Sequence, residues 1–169
     1  LLQPLHKDEL NSAKKFISSP YFNTNKNISA IFDEIIKFHP EFESKNFTKE
    51  FIYNKVFKDK QYNDSNMRWI LSEINHLLEK YFVQKHFDKD LFIKDYYLSV
   101  EYFGGMKKDF VRKALDTAEK NLSETEVKDF LYHLHKYIYR TNEMNYMMLF
   151  KRDKKAKISH LPEIKRNKI

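Results

Sequence analysis

The chain has 169 residues, of which 41% are hydrophobic and 33% charged, a balance that fits one globular domain with or without a tail and excludes a disordered composition. Cysteine is absent, which excludes a disulfide framework, thiolate metal sites and a thiol nucleophile. No apolar run approaches the ~20 residues that cross a bilayer and no signal-peptide core is visible, so a cytoplasmic protein with no membrane partner is expected.

The formal net charge of +7 is unevenly placed. Residues 151–169 hold eight Lys/Arg against Asp153 and Glu163, whereas residues 1–150 hold 23 cations against 22 anions. A nearly neutral body with a basic tail follows. Only two Gly and four Pro punctuate the chain, which argues for helices joined by short connections. The expected fold class is therefore all-α, with seven or eight helices in one body over residues 1–150.

The first helix spans His6 to Ser18, with Leu10, Ala13, Phe16 and Ile17 on one side, and Ser18-Ser19-Pro20 stops it. Tyr21 and Phe22 follow in a loop, where two adjacent aromatics are expected to plug the core. Asn27 is the expected cap of a second helix, whose Ile28, Ile31, Phe32, Ile35 and Ile36 recur at helical spacing until His39-Pro40 ends it. Thr48 opens a third, with Phe51, Ile52, Val56 and Phe57 on its apolar side. After the polar stretch Lys58–Asn63, Asn63 or Asp64 caps a long fourth helix. Its stripe of Met67, Ile70, Leu71, Ile74, Leu77, Leu78, Tyr81 and Phe82 is the strongest periodic signal in the chain.

Leu91, Phe92, Tyr96 and Val100 mark a fifth helix that ends at Gly104-Gly105. Phe110, Val111, Ala114, Leu115 and Ala118 mark a sixth. Ser123-Glu124-Thr125-Glu126 has the capping-box pattern and is expected to start a seventh helix, through Val127, Phe130, Leu131, Leu134, Tyr137 and Ile138. Asn142–Phe150 forms an eighth. From Lys151 onward the periodicity is lost, and residues 151–169 read as a flexible basic tail, or as a linker if the natural chain continues.

Chemistry-bearing patterns are few. No Gly-rich phosphate loop and no Gly-x-Ser-x-Gly elbow occurs, and Asp88 and Asp90 stand among lysines as surface charge. His133 and His135, two apart on a helix, point in different directions, and the His-Glu-x-x-His zinc pattern is missing. A non-enzyme is expected, with no catalytic, cofactor or metal residues and no small-molecule substrate.

Residues 46–84 have the layout of a helix-turn-helix reader: short helix, polar turn, longer amphipathic helix. The runs Phe47-Thr48-Lys49-Glu50-Phe51, Val56-Phe57-Lys58-Asp59, Asn66-Met67-Arg68-Trp69 and Leu71–Glu79 resemble the helix-turn-helix half of winged-helix regulators. That resemblance implies a recognition helix beginning near Asn63, with Asn66, Arg68, Ser72 and Asn75 as DNA contacts. No β-hairpin wing follows Tyr81-Phe82-Val83. Asp64, Glu73 and Glu79 also place negative charge on the same helix, opposing phosphate approach. The bland alternative is an amphipathic helix with a solvated face. In the tail, Lys154, Lys155 and Lys157 are the residues that would track phosphates; no aromatic there offers base stacking.

The aromatic share, 16% of residues, suits helical hairpins that bury Phe and Tyr between layers. Tyr96–Asn121 resembles a tetratricopeptide unit in its Tyr/Phe-rich helix, Gly turn and partner helix with Phe110, Leu115 and Ala118, although no 34-residue repeat follows. Hairpins of this kind either pack a core or expose a Tyr-rich face to a peptide. Ser19-Pro20-Tyr21-Phe22-Asn23, the Ile-rich helix to His39-Pro40, Thr48-Lys49-Glu50 and Asn63-Asp64 are together similar to the N-terminal part of a group of uncharacterised bacterial helical proteins. That similarity implies a helical fold in an intracellular bacterial setting. Two functional expectations follow: a helical interaction module that binds a protein partner, or a nucleic-acid-binding regulator that uses the helix at 64–84 and the tail.

Overall fold

The computed structural model describes residues 1–151. The fold is all-α: the described residues form seven helices and no strand. These are α1 (Lys7–Ile17), α2 (Lys26–Ile36), α3 (Lys49–Val56), α4 (Asp64–Lys89), α5 (Leu91–Gly104), α6 (Lys108–Ser123) and α7 (Phe130–Phe150). None is long and apolar enough to cross a membrane. Where the sequence reading drew one body over residues 1–150, the chain groups into two compact units, Leu1–His86 and Phe87 onward. Lys154, Lys155, Lys157 and the rest of the basic tail lie outside the described residues.

The first unit is built on the predicted stripes. Ala13 and Ile17 of α1, Ile28, Ile31, Phe32 and Ile35 of α2, Ile52 and Tyr53 of α3, and Met67, Ile70, Ile74, Leu77, Leu78 and Tyr81 of α4 form one buried cluster. Each helix start has a concrete donor–acceptor reason. The Thr48 hydroxyl accepts from Phe51 N–H at 3.2 Å, and the Asn63 side chain accepts from Asn66 N–H at 2.8 Å; both quench backbone donors that a helix N-terminus leaves open.

Three local expectations in this unit are corrected. Asn25, not Asn27, caps α2: its side chain accepts from Asn27 N–H at 3.0 Å. On α3 the buried aromatic is Tyr53, while Phe51 is only half-buried. Tyr21 does not plug the core but is 87% exposed. Phe22 reaches only the rim, where it stacks on Phe16 with ring centroids 3.9 Å apart. The reason is the turn after Pro20. Ser19 C=O accepts from both Phe22 N–H (3.0 Å) and Asn23 N–H (2.9 Å), which leaves Asn23 rather than the aromatics to point inward. Asn23 Nδ2 then donates to Ile17 C=O at 2.9 Å and to Ser29 Oγ at 3.1 Å, tying the end of α1 to the start of α2.

The second unit packs α5, α6 and α7. Its buried cluster is smaller: Phe92 of α5, Val111, Leu115, Ala118 and Leu122 of α6, and Tyr139 and Tyr146 of α7. Leu91, Val100 and Phe110, expected on apolar faces, are exposed. Gly105 closes α5, its N–H donating to Glu101 C=O at 3.1 Å.

The largest correction concerns α7. Ser123 does not open a helix; it is the last residue of α6, and its hydroxyl donates back to Lys120 C=O at 2.7 Å. Asp129 is the true cap, accepting from Tyr132 N–H at 3.0 Å. One helix of 21 residues then replaces the expected seventh and eighth. Most of the expected core stripe of this segment faces outward, while Ile138 packs against the buried cluster. Val127, Phe130, Leu131, Leu134 and Tyr137 are all exposed, and the inward face is carried by Tyr139, Asn142 and Tyr146.

Candidate functional site

The four residues singled out on α4 do not form one set. At 100° per residue, Arg68, Ser72 and Asn75 share a stripe of the helix, and all three are exposed. Asn66 lies on nearly the opposite side, half-buried, with Nδ2 donating to the Tyr53 hydroxyl at 3.3 Å. Arg68 is engaged by Asp64 at 2.5 Å, and Lys49 approaches the same carboxylate at 3.7 Å. The Tyr62 hydroxyl, donating to Asp64 at 2.8 Å, together with Arg68 holds the Asp64 carboxyl below its ordinary range, against the opposing effect of desolvation. Arg68 is thus already paired. Ser72 and Asn75 instead border a groove of about 540 Å³ that Ile35, Phe42, Phe47 and Leu71 also line.

The histidines are likewise separate. His135 stacks on Phe92 with centroids 4.4 Å apart and lies 3.5 Å from Asp90, the residue that caps α5. His133 is exposed. Among the described residues no group of three or more His, Cys, Asp or Glu side chains is placed to hold a metal.

The most distinctive surface is the outward face of α7. Phe130, Leu134, Tyr137, Thr141, Met144 and Met148 follow one another at spacings of 4, 3, 4, 3 and 4 residues. Those five steps average 3.6 residues and keep all six side chains within an arc of about 80°. Phe130 is 78% exposed, Tyr137 71%, and Leu134, Met144 and Met148 between 36% and 40%. Thr141 joins the seam with its polarity spent, since its hydroxyl donates to Tyr137 C=O at 3.0 Å. An apolar stripe at this spacing is the pattern by which one helix receives another.

The opposite face carries a second seven-residue repeat, Tyr132, Tyr139 and Tyr146. Tyr139 and Tyr146 are buried and Tyr132 half-buried. Cations decorate these rings. Lys136 lies 5.9 Å from the Tyr132 ring centroid, Arg140 5.8 Å from Tyr139, and Lys151 and α6 Arg112 5.9 and 5.7 Å from Tyr146. Each exposed contact of this kind contributes about 0.5–1 kcal/mol. Burial pushes the Tyr139 hydroxyl above its ordinary range, reinforced by Glu143 and Glu119. The inward face is thus already satisfied by α5 and α6, whereas the seam has no partner among the described residues of the second unit. Sequence reasoning assigned the first half of this seam to the core and divided the rest into another helix. The continuous 4-3 spacing across Phe130–Met148 was the signal available.

Comparison of the chain with family models, with curated proteins and with solved structures finds no match to any of them.

Proposed function

We propose that this chain is a non-enzymatic helical interaction module that binds a protein partner through its second unit, and that it works in the cytoplasm. The exposed seam of α7 carries this reading. Burying large side chains is the main favourable term in folding and in association, at roughly 25 cal/mol per Å² of apolar surface. A helix that spends one apolar face on its own core and turns a second, regularly spaced one to solvent has surface left to bury.

The test is selection from a displayed library of short helical peptides against the full chain, run in parallel with Tyr137→Glu. Tyr137 is exposed, so the charge disturbs the seam without entering the core. The reading expects families of amphipathic peptides that enrich on the parent chain and not on the variant. Equal enrichment on both would remove the seam from the account.

A nucleic-acid role is the second reading, and its support is the exposed stripe of Arg68, Ser72 and Asn75 on α4. In that reading Arg68 leaves Asp64 to approach a base edge, and Lys154, Lys155 and Lys157 hold phosphates. Duplex DNA binding at two salt concentrations, with and without residues 151–169, separates the cases. Affinity that is steeply salt-dependent and survives removal of the tail favours a reader. Salt-sensitive binding that vanishes with the tail leaves only an adherent arm.

A further inference from the structure

We propose that the α7 seam receives one amphipathic helix with acidic flanks, supplied by another protein; this rests on the reading of the chain as an interaction module. The seam covers 19 residues, Phe130 to Met148, or about 28 Å at 1.5 Å per residue, enough for some five turns of a partner helix. The occupant is identified by charge. Lys136, Arg140 and Lys151 lie along one flank, while the other flank holds only the uncharged Leu131, Ile138, Asn145 and Leu149. Of the nearby acids, Glu143 is half-buried on the Tyr139 side and pairs with Arg140 at 3.0 Å, so the charge this flank offers a partner comes from Lys136 and Lys151; Glu119 belongs to α6 beneath the same ring. In sequence, the basic flank runs on directly into Arg152, Lys154 and Lys155.

This arrangement disfavours the other occupants. A second copy laid parallel brings Arg140 opposite Asn145, with no complementary charge. Laid antiparallel, it turns the flank with Lys136 and Lys151 against the same flank of its copy, and like charges in an interface select against that pairing. The chain's own tail carries the same sign as the flank. A helix lying flat on an anionic membrane would profit from cations on both sides of its apolar face, and here they line one side only. A partner with Glu or Asp beside its own apolar stripe complements Lys136 and Lys151, as charges bordering a coiled-coil seam do.

The experiment uses the full chain and two synthetic three-heptad peptides, identical in their Leu seam and differing only in Glu or Lys at the flanking positions. Affinities are read by fluorescence anisotropy at low and high salt, with circular dichroism to verify that each variant keeps its helices. The Glu peptide is expected to bind at least about tenfold more tightly than the Lys peptide, with the gap closing as salt rises. Tyr137→Glu is expected to abolish binding, and Lys136→Glu with Arg140→Glu to invert the preference. Equal affinity for the two peptides, or preference for the Lys peptide, overturns the acidic partner while leaving the seam a docking site. Three results overturn the proposal in favour of another occupant: self-association that Tyr137→Glu abolishes, binding to phosphatidylserine vesicles with neither peptide bound, or peptide binding that appears only after residues 152–169 are removed. Failure of every arm overturns the interaction reading itself.

Discussion

Asn142 of α7 donates through Nδ2 to the hydroxyl of Ser99 on α5 at 3.2 Å, and these are the two buried polar residues among those described. The Ser99 hydroxyl in turn donates to Tyr96 C=O at 2.7 Å, so the Asn142 amide joins a chain of two hydrogen bonds inside the second unit. A buried polar pair of this kind favours one face of α7 turned inward, because another rotation takes the Asn142 amide away from the Ser99 hydroxyl. Ser99→Ala is expected to destabilise the second unit by about 1–2 kcal/mol, since it strands the Asn142 amide. Asn142→Leu with Ser99→Ala should recover part of that loss. Urea denaturation followed by near-ultraviolet signals from the tyrosines measures both.

In the first unit, Asn23 does comparable work in the open turn between α1 and α2. It donates to Ile17 C=O and Ser29 Oγ, and its own Oδ1 accepts from Asn25 N–H at 2.9 Å. Asn23→Ala removes all three and is expected to cost about 2 kcal/mol. Tyr21→Ala, two residues away, should stay within about 0.5 kcal/mol, because the side chain is largely in solvent. Thermal unfolding of the two variants side by side checks the contrast.

The turn after α5 holds an inversion of the usual residue choice. Neither glycine has positive φ; Met106 takes it instead, at φ 52°. A left-handed residue with a side chain costs roughly 1–2 kcal/mol, and Met106 is mostly exposed, with little packing to offset that. Met106→Gly is therefore expected to stabilise the second unit by up to about 1 kcal/mol. Gly104→Ala should add about 0.5–1 kcal/mol, as a Cβ there meets nothing within 4 Å in the last turn of the helix. A rise in the denaturation midpoint for both is the expected readout.

Acid sensitivity has a named source. Lys85 pairs with Glu9 across α4 and α1, and this bond, helped by His6 N–H donating to Glu9 at 3.2 Å, holds the Glu9 carboxyl below the ordinary glutamate range. A depressed folded value means that the contribution is complete above the unfolded glutamate value, roughly 4.3, and is lost as pH falls through the folded one. Lys85→Met is expected to flatten the loss of stability below that pH. Asp95 runs the other way. Burial raises its carboxyl, only partly opposed by Asn121 donating to it at 2.8 Å. Its ionised form therefore opposes folding at neutral pH, and Asp95→Asn should raise stability there. Denaturation midpoints from pH 3 to 7 read both directions.

Periodicity made α4 legible along its length, because its inward stripe is the one wide apolar face that it has. It served α7 poorly for a physical reason: that helix has two opposite apolar faces, and spacing alone does not say which meets a core. The buried choice rests on Tyr139 and Tyr146 with Asn142 between them, a polar residue that reads in sequence like a helix boundary. Ser123 misled in a similar way. A hydroxyl followed three residues later by Glu fits a capping box, yet the same hydroxyl serves equally well bonded back to Lys120 C=O at the end of α6. At Asn66, Arg68, Ser72 and Asn75 residue type was readable, but the rotation that sends Asn66 to the Tyr53 hydroxyl and leaves the others exposed follows from where Met67 and Ile70 are buried.

Whether α7 turns its 4-3 seam to solvent can be measured directly, because the parent chain has no cysteine. Tyr137→Cys and Met144→Cys on the seam, with Asn142→Cys on the inward face of the same helix, report their own accessibility through the rate of thiol labelling under native conditions. The two seam positions are expected to react within about tenfold of an unstructured peptide, and position 142 at least about a hundredfold more slowly, limited by opening of the unit. Protection at 137 and 144 equal to that at 142 would contradict the account, as would rapid labelling at all three.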